Sequence, residues 1–177
     1  GALMFVLGGC IENDIPYPVI KLDILSLEAE GLKSAPKIDA TKKSVVLELE
    51  ETADIRNVKI TNVTFTEGAE SSVVFPGVYD LRTPLYVELT KYQSWEWTIS
   101  AEQSIERYFE VEGQIGESVI DAKHHIATAL VPMDHDLKNV VIKAIKLGPK
   151  DIAEYSVDPY TLTDFEESVR NVTVSYH

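Results

Sequence analysis

Short runs alternate apolar and polar residues with period two between turn-forming residues, no segment holds a helical apolar period for three turns, and the chain repeats itself internally. Together these observations predict an all-β protein built from two tandem immunoglobulin-like antiparallel β-sandwich domains.

The repeat is the sharpest of the three. Residues 27–61 lie over residues 109–143 at a constant offset of 82 without a gap, and 10 of the 35 positions are identical. Chance gives about two at ordinary composition. The pairs include Gly31 with Gly113, Ile38 with Ile120, Asp39 with Asp121, Asp54 with Asp136, Asn57 with Asn139 and Val58 with Val140. A period of this length is a whole domain, well above the roughly 20–50 residues of solenoid repeats.

Taken in order, Val45, Leu47 and Leu49 alternate with Val46 and Glu48, and Ala127, Ala129 and Val131 answer in the second copy. Such alternation marks a half-buried strand. Val58 and Ile60 hold one parity and Val63 and Phe65 the other, as Val140 and Ile142 do against Ile145 and Leu147, so a bulge is predicted at one place in both copies. Asp54 to Asn57 and Asp136 to Asn139, just before these strands, read as turns held by short polar side chains. Further strands are predicted at Leu85 to Leu89, Ser94 to Ile99, Glu106 to Val111 and Asn171 to Tyr176. Thr98 to Arg107 contains neither Gly nor Pro, so the last strand of the first domain is expected to run into the first strand of the second through a short, stiff join.

Beyond the gapless block the offset drifts. Val87 and Leu89 find counterparts in Val172 and Val174, about 85 residues on, which places the counterpart of the strand Trp95 to Ile99 near residues 180–184, past His177. The second sandwich is therefore expected to lack its last strand. An edge left open in this way is a template for another strand, and the apolar stretch Ala2 to Leu7 is expected to pair with such an edge.

That stretch leads to Leu7-Gly8-Gly9-Cys10, which reads as the end of a bacterial lipoprotein signal peptide. Small residues before a cysteine let a peptidase cut after Gly9 once the Cys10 sulfur carries lipid. No Lys or Arg precedes Lys21 to supply a basic n-region, so residues 1–9 are taken as a remnant of the signal, with 10–16 a tether, 17–100 the first sandwich and 101–177 the second. Cys10 is the predicted lipidation site and the membrane the predicted partner, at the outer membrane and cell surface, with the periplasmic face as the other option. With a single Cys in the chain no disulfide framework forms.

A formal net charge of −13 with no basic stripe repels phosphate backbones, so nucleic acid is excluded as a partner. Few residues point to chemistry. His124-His125 follow Asp121, and His135 stands between Asp134 and Asp136, but adjacent histidines on a strand face opposite ways. The aligned residues Lys42, Lys43 and Ala53 are no ligands, so these are read as solvated turns and no metal or cofactor is predicted. Ser71-Ser72 has no base at a recognisable spacing, and no Gly-rich phosphate loop exists. No enzymatic activity is expected. Trp95 and Trp97 share a strand face with Ile99, which favours the core; the competing reading is a sugar-stacking platform, with Tyr86 and Tyr92 as further carbohydrate-binding candidates.

Three stretches carry a family resemblance: Cys10-Ile11-Glu12-Asn13-Asp14-Ile15-Pro16-Tyr17-Pro18, Leu25-Ser26-Leu27-Glu28-Ala29-Glu30-Gly31, and Trp97-Thr98-Ile99-Ser100-Ala101-Glu102-Gln103. They resemble the N-terminal region of lipoproteins from Gram-negative glycan-foraging bacteria, in the putative carbohydrate-metabolism domain family. The resemblance implies tandem immunoglobulin-like modules ahead of a larger C-terminal β domain, outer-membrane location, and a surface-export signal in the acids after Cys10. It brings no catalytic residues. The function expected is a non-catalytic stalk that presents a glycan-related domain. A carbohydrate-binding module of a glycan-uptake system and an adhesin or fimbrial subunit are the alternatives, with a glycan or another envelope protein as partner.

Overall fold

A computed structural model describes residues 18–177. Cys10 and the expected strand Ala2 to Leu7 lie outside the described residues. Within them the regular structure is β, apart from one 3-10 turn at Pro159–Thr161.

In chain order the first half contains β1 (Ile24–Ala29), β2 (Lys37–Asp39), β3 (Ser44–Leu49), β4 (Val58–Phe65), β5 (Glu70–Ser71), β6 (Gly77–Tyr79), β7 (Leu85–Lys91) and β8 (Gln93–Gln103). One sheet has the order β1-β4-β6 and the other β2-β3-β8-β7-β5. Alternation gives each sheet one apolar face. Ile24, Leu27, Val58 and Ile60 from the first meet Val45, Leu47, Leu49, Val87, Leu89, Trp97 and Ile99 from the second, none more than 4% exposed. Full burial of such side chains stabilises by roughly 1.5–3 kcal/mol each, so this seam is what closes the sandwich.

The second sheet is mixed, where an antiparallel one was predicted: β8 is antiparallel to β7 but parallel to β3, from Ser44 opposite Thr98 to Leu49 opposite Gln103. The cause is topological. β3 and β8 are not joined by a hairpin: the chain between β3 and β7 visits the other sheet twice, at β4 and at β6 with β5 between them, so the edge of β3 is free to pair with β8 in parallel.

The parity switch in β4 is a bulge. Glu28 faces Asn62 and the next residue, Ala29, faces Ile60, leaving Thr61 without a partner. Just beyond, Gly31 at φ +75 turns the chain from one sheet to the other, and its carbonyl accepts from the Glu50 N–H at 2.9 Å. Only Gly adopts this left-handed conformation without cost.

The second half contains β9 (Tyr108–Val111), β10 (Val119–Asp121), β11 (Ile126–Thr128), β12 (Ile142–Lys146), β13 (Glu154–Tyr155) and β14 (Val174–Ser175). Its local geometry repeats that of the first. β9 pairs with β12 across the same bulge, Glu110 facing Ala144 and Val111 facing Ile142. Gly113 repeats φ +75, and His125 at φ +58 repeats Lys43 at φ +52. Asp54 accepts from the Arg56 N–H at 3.0 Å and the Asn57 Nδ2 at 3.1 Å; Asp136 accepts from the Lys138 N–H at 2.9 Å and the Asn139 Nδ2 at 2.7 Å. β5 with β7 and β13 with β14 also correspond, down to a serine that donates its N–H to one neighbour and accepts from the same strand: Ser72 with Glu88, Ser156 with Thr173.

The halves differ in one respect. β11 stops at Thr128 where a strand through Val131 was expected, and β14 is two residues long where Asn171 to Tyr176 was expected. In the first half β8 lies between β3 and β7 and gives both a ladder; β11 and β14 have only β10 and β13 as partners among the described residues. The core reflects this, with Val111, Val140, Ile142 and Leu162 as its buried members.

Candidate functional site

Trp95 and Trp97 sit on the central strand of the five-stranded sheet, and both indoles point toward the segment before β1. Trp97 is 0% exposed, and its Nε1 donates to the Leu22 carbonyl at 2.9 Å. Trp95, nearer the hairpin end, is half-buried and donates to the Ile20 carbonyl at 2.8 Å. The Lys43 ammonium stands 4.5 Å from its ring centroid and 3.9 Å from Asp23 Oδ1. A cation so placed is attracted by the ring's negative face. Trp97 thus presents no ring to a ligand, and Trp95 already has the Lys43 ammonium over one face.

The tyrosines are exposed but separate. Tyr86 is 59% exposed on the outward face of β7, opposite Thr98, while Tyr92 is 90% exposed at the hairpin tip with φ +60. Six residues of extended chain span about 20 Å, too far for both rings to stack on one sugar unit.

The histidine clusters are turns. The Asp121 carboxylate accepts from the His124 N–H at 3.0 Å and lies 2.7 Å from its Nδ1, and the His124 side chain holds the Asp121 carboxyl below its ordinary range. His135 lies against Gly113, its imidazole edge 3.2 Å from where a Cβ would stand. Among the described residues no group of three His, Cys, Asp or Glu is placed to hold a metal ion.

One concavity stands out, which no motif announced. A trough of about 740 Å³ runs between β10-β11 and β14, lined by Arg107, Asp121, His125, Ile126, Val172 and Tyr176 among others. Arg107 is fixed across one end, its Nε donating to the Leu147 carbonyl at 3.0 Å and its Nη2 to the Tyr176 hydroxyl at 2.9 Å. Asp121 is the one carboxylate in the lining. The signal in the sequence that could have located it is the drifting offset, which leaves the Trp95 strand without a counterpart.

The predicted anchor Cys10 lies outside the described residues, and within them no helix is long and apolar enough to cross a membrane. No family model matches the chain. No curated protein matches it either. Among solved structures, it is similar to the crystal structure of a protein described as a putative glycoside hydrolase, from Bacteroides thetaiotaomicron VPI-5482, at 18% identity and a TM-score of 0.45. The match covers 63% of this chain and 35% of that one, so this chain accounts for about a third of the other's length. At this level of likeness no functional argument follows.

Proposed function

We propose that this chain is a non-catalytic spacer: two tandem immunoglobulin-like β-sandwiches, tethered through a lipid on Cys10 to the outer membrane, that hold a C-terminal glycan-related domain away from the cell surface. One observation carries the reading, namely the clasp between the two halves. Gln103, the last residue of β8, donates from its side-chain amide to the carbonyls of Glu50 at 2.9 Å and Ala53 at 2.8 Å. Glu51, in the same loop, accepts from the Glu106 N–H at 3.2 Å and from the Lys146 ammonium at 2.8 Å. Lys146 also donates to the Glu106 carbonyl. The join of residues 104–107 is thus short and braced from both sides, as a strut requires and a flexible linker does not. The enclosed Trp97 ring agrees with a structural role for that residue in place of sugar stacking.

The anchor is testable in the native envelope. Wild-type protein is expected in the detergent phase, with Cys10 as the mature N-terminus and lysines near the join labelled on intact cells by a membrane-impermeant reagent. Cys10→Ala is expected in the aqueous phase. Retention of Cys10→Ala on the membrane to the wild-type extent would remove the lipid from the account.

A further inference from the structure

We propose that the trough between β11 and β14 is a slot for a β8-like strand, an extended segment with large apolar side chains at alternate positions that runs parallel to β11 and antiparallel to β14. The first half shows what such a slot holds. There β8 pairs in parallel with β3 and antiparallel with β7, and the corresponding strands of the second half, β11 and β14, flank the trough with those edges free among the described residues.

Burial marks the same slot. Val45, Leu47, Leu49, Val87 and Leu89, which β8 covers, are at most 1% exposed. Their counterparts Ala127, Ala129, Val131, Val172 and Val174 are only half-buried. Each of the five is smaller than its counterpart or the same size, and Ala127, Val172 and Val174 line the trough, so its floor is low and needs bulky side chains above it to reach native packing density. Backbone polarity agrees. In the first half the Thr98 N–H of β8 donates to the Lys43 carbonyl at 3.0 Å, and the left-handed conformation of Lys43 recurs at His125 on the trough wall. Strand addition to a free edge gains its affinity from such main-chain bonds and its register from alternate pockets.

The geometry also assigns the register. Val174 stands for Leu89 and Ser175 for Thr90, so His177 stands where Tyr92 makes the β7-β8 turn at φ +60. The proposal is independent of the spacer reading, since a sugar-binding or adhesive protein could have the same slot.

The test extends the chain directly after His177 with the eleven residues Gln-Ser-Trp-Glu-Trp-Thr-Ile-Ser-Ala-Glu-Gln, a copy of Gln93–Gln103, and follows amide hydrogen exchange by mass spectrometry. Exchange at Ile126–Thr128 and Val174–Ser175 is expected to slow at least tenfold. A control extension with serine at its two Trp positions and its Ile position should leave the rates unchanged. No slowing in the first extension, or equal slowing in both, overturns the proposal. The unextended chain is measured in parallel over a hundredfold range of concentration, with sedimentation velocity. Protection of β11 that grows with concentration and accompanies a dimer would put a second copy in the trough and overturn the β8-like occupant.

Discussion

Replacing Trp97 by phenylalanine should cost far more stability than the same change at Trp95, two residues away on the same strand face. Trp97 is fully enclosed, and the Leu22 carbonyl that accepts its Nε1 proton belongs to a residue that is itself 0% exposed. Deleting the donor strands that carbonyl away from water, at about 1–3 kcal/mol. The smaller ring also leaves a void, adding about 1 kcal/mol. For Trp97→Phe the sum is about 2–4 kcal/mol. Trp95 is half-buried and its acceptor Ile20 is reachable by water, so Trp95→Phe should cost about 0.5–1.5 kcal/mol. Urea unfolding followed by far-ultraviolet circular dichroism separates the two. With a urea slope of about 2 kcal/mol/M, Trp97→Phe moves the first-half midpoint down by roughly 1–2 M and Trp95→Phe by well under 1 M. A larger loss at Trp95 than at Trp97, or a loss below about 0.5 kcal/mol at Trp97, would show that the indole is not the keystone its burial implies.

Other expectations follow from the turns and the clasp. Gly31→Ala forces a Cβ onto φ +75 and within 3.2 Å of the Ala53 Cβ, whereas Gly116→Ala at φ +68 meets nothing within 4 Å. Both should lose about 1–2 kcal/mol to the left-handed backbone, with Gly31→Ala the worse, as read by thermal unfolding. Glu51 has its carboxyl held below the ordinary range chiefly by the Lys146 ammonium. Its contribution is therefore complete above the unfolded carboxyl pKa of about 4.3 and is lost as pH falls through the depressed folded value. Glu51→Gln should cost about 1 kcal/mol at pH 7 and flatten that part of the acid limb; an unchanged pH profile would mean the clasp carries no stability.

How far the fold could be read from the residues depended on what each signal encodes. The parity switch between Ile60 and Val63 marks a bulge because side-chain facing is a local property of the chain, and the same holds for the Asp54 and Asp136 turns. Pairing partners are not local. Nothing in the alternation of Val45, Leu47 and Leu49 says that β3 lies beside β8, still less that the two run parallel. The long stretch from Leu147 to Thr173 shows the limit most plainly, since its only regular pieces are β13 and one 3-10 turn, held by side-chain bonds such as Asp158 to the Tyr160 N–H. For the candidate residues, sharing a face with Ile99 correctly put Trp97 in the core, but period two could not tell that Trp95 would be covered less, because that depends on where the sheet ends. The trough had no motif to announce it, being made by what the second half does not contain among the described residues.

The spacer reading requires that these domains do not recognise sugar. The decisive measurement is retention of the intact chain on a broad glycan array and in affinity gels, alongside tryptophan emission during sugar titration, for wild type, Tyr86→Ala and Trp95→Ala. The account predicts no retention and no sugar-dependent change in emission for any of the three. Retention of the wild type that is lost in Tyr86→Ala or Trp95→Ala, with folding intact, would contradict it and make this chain a carbohydrate-binding module.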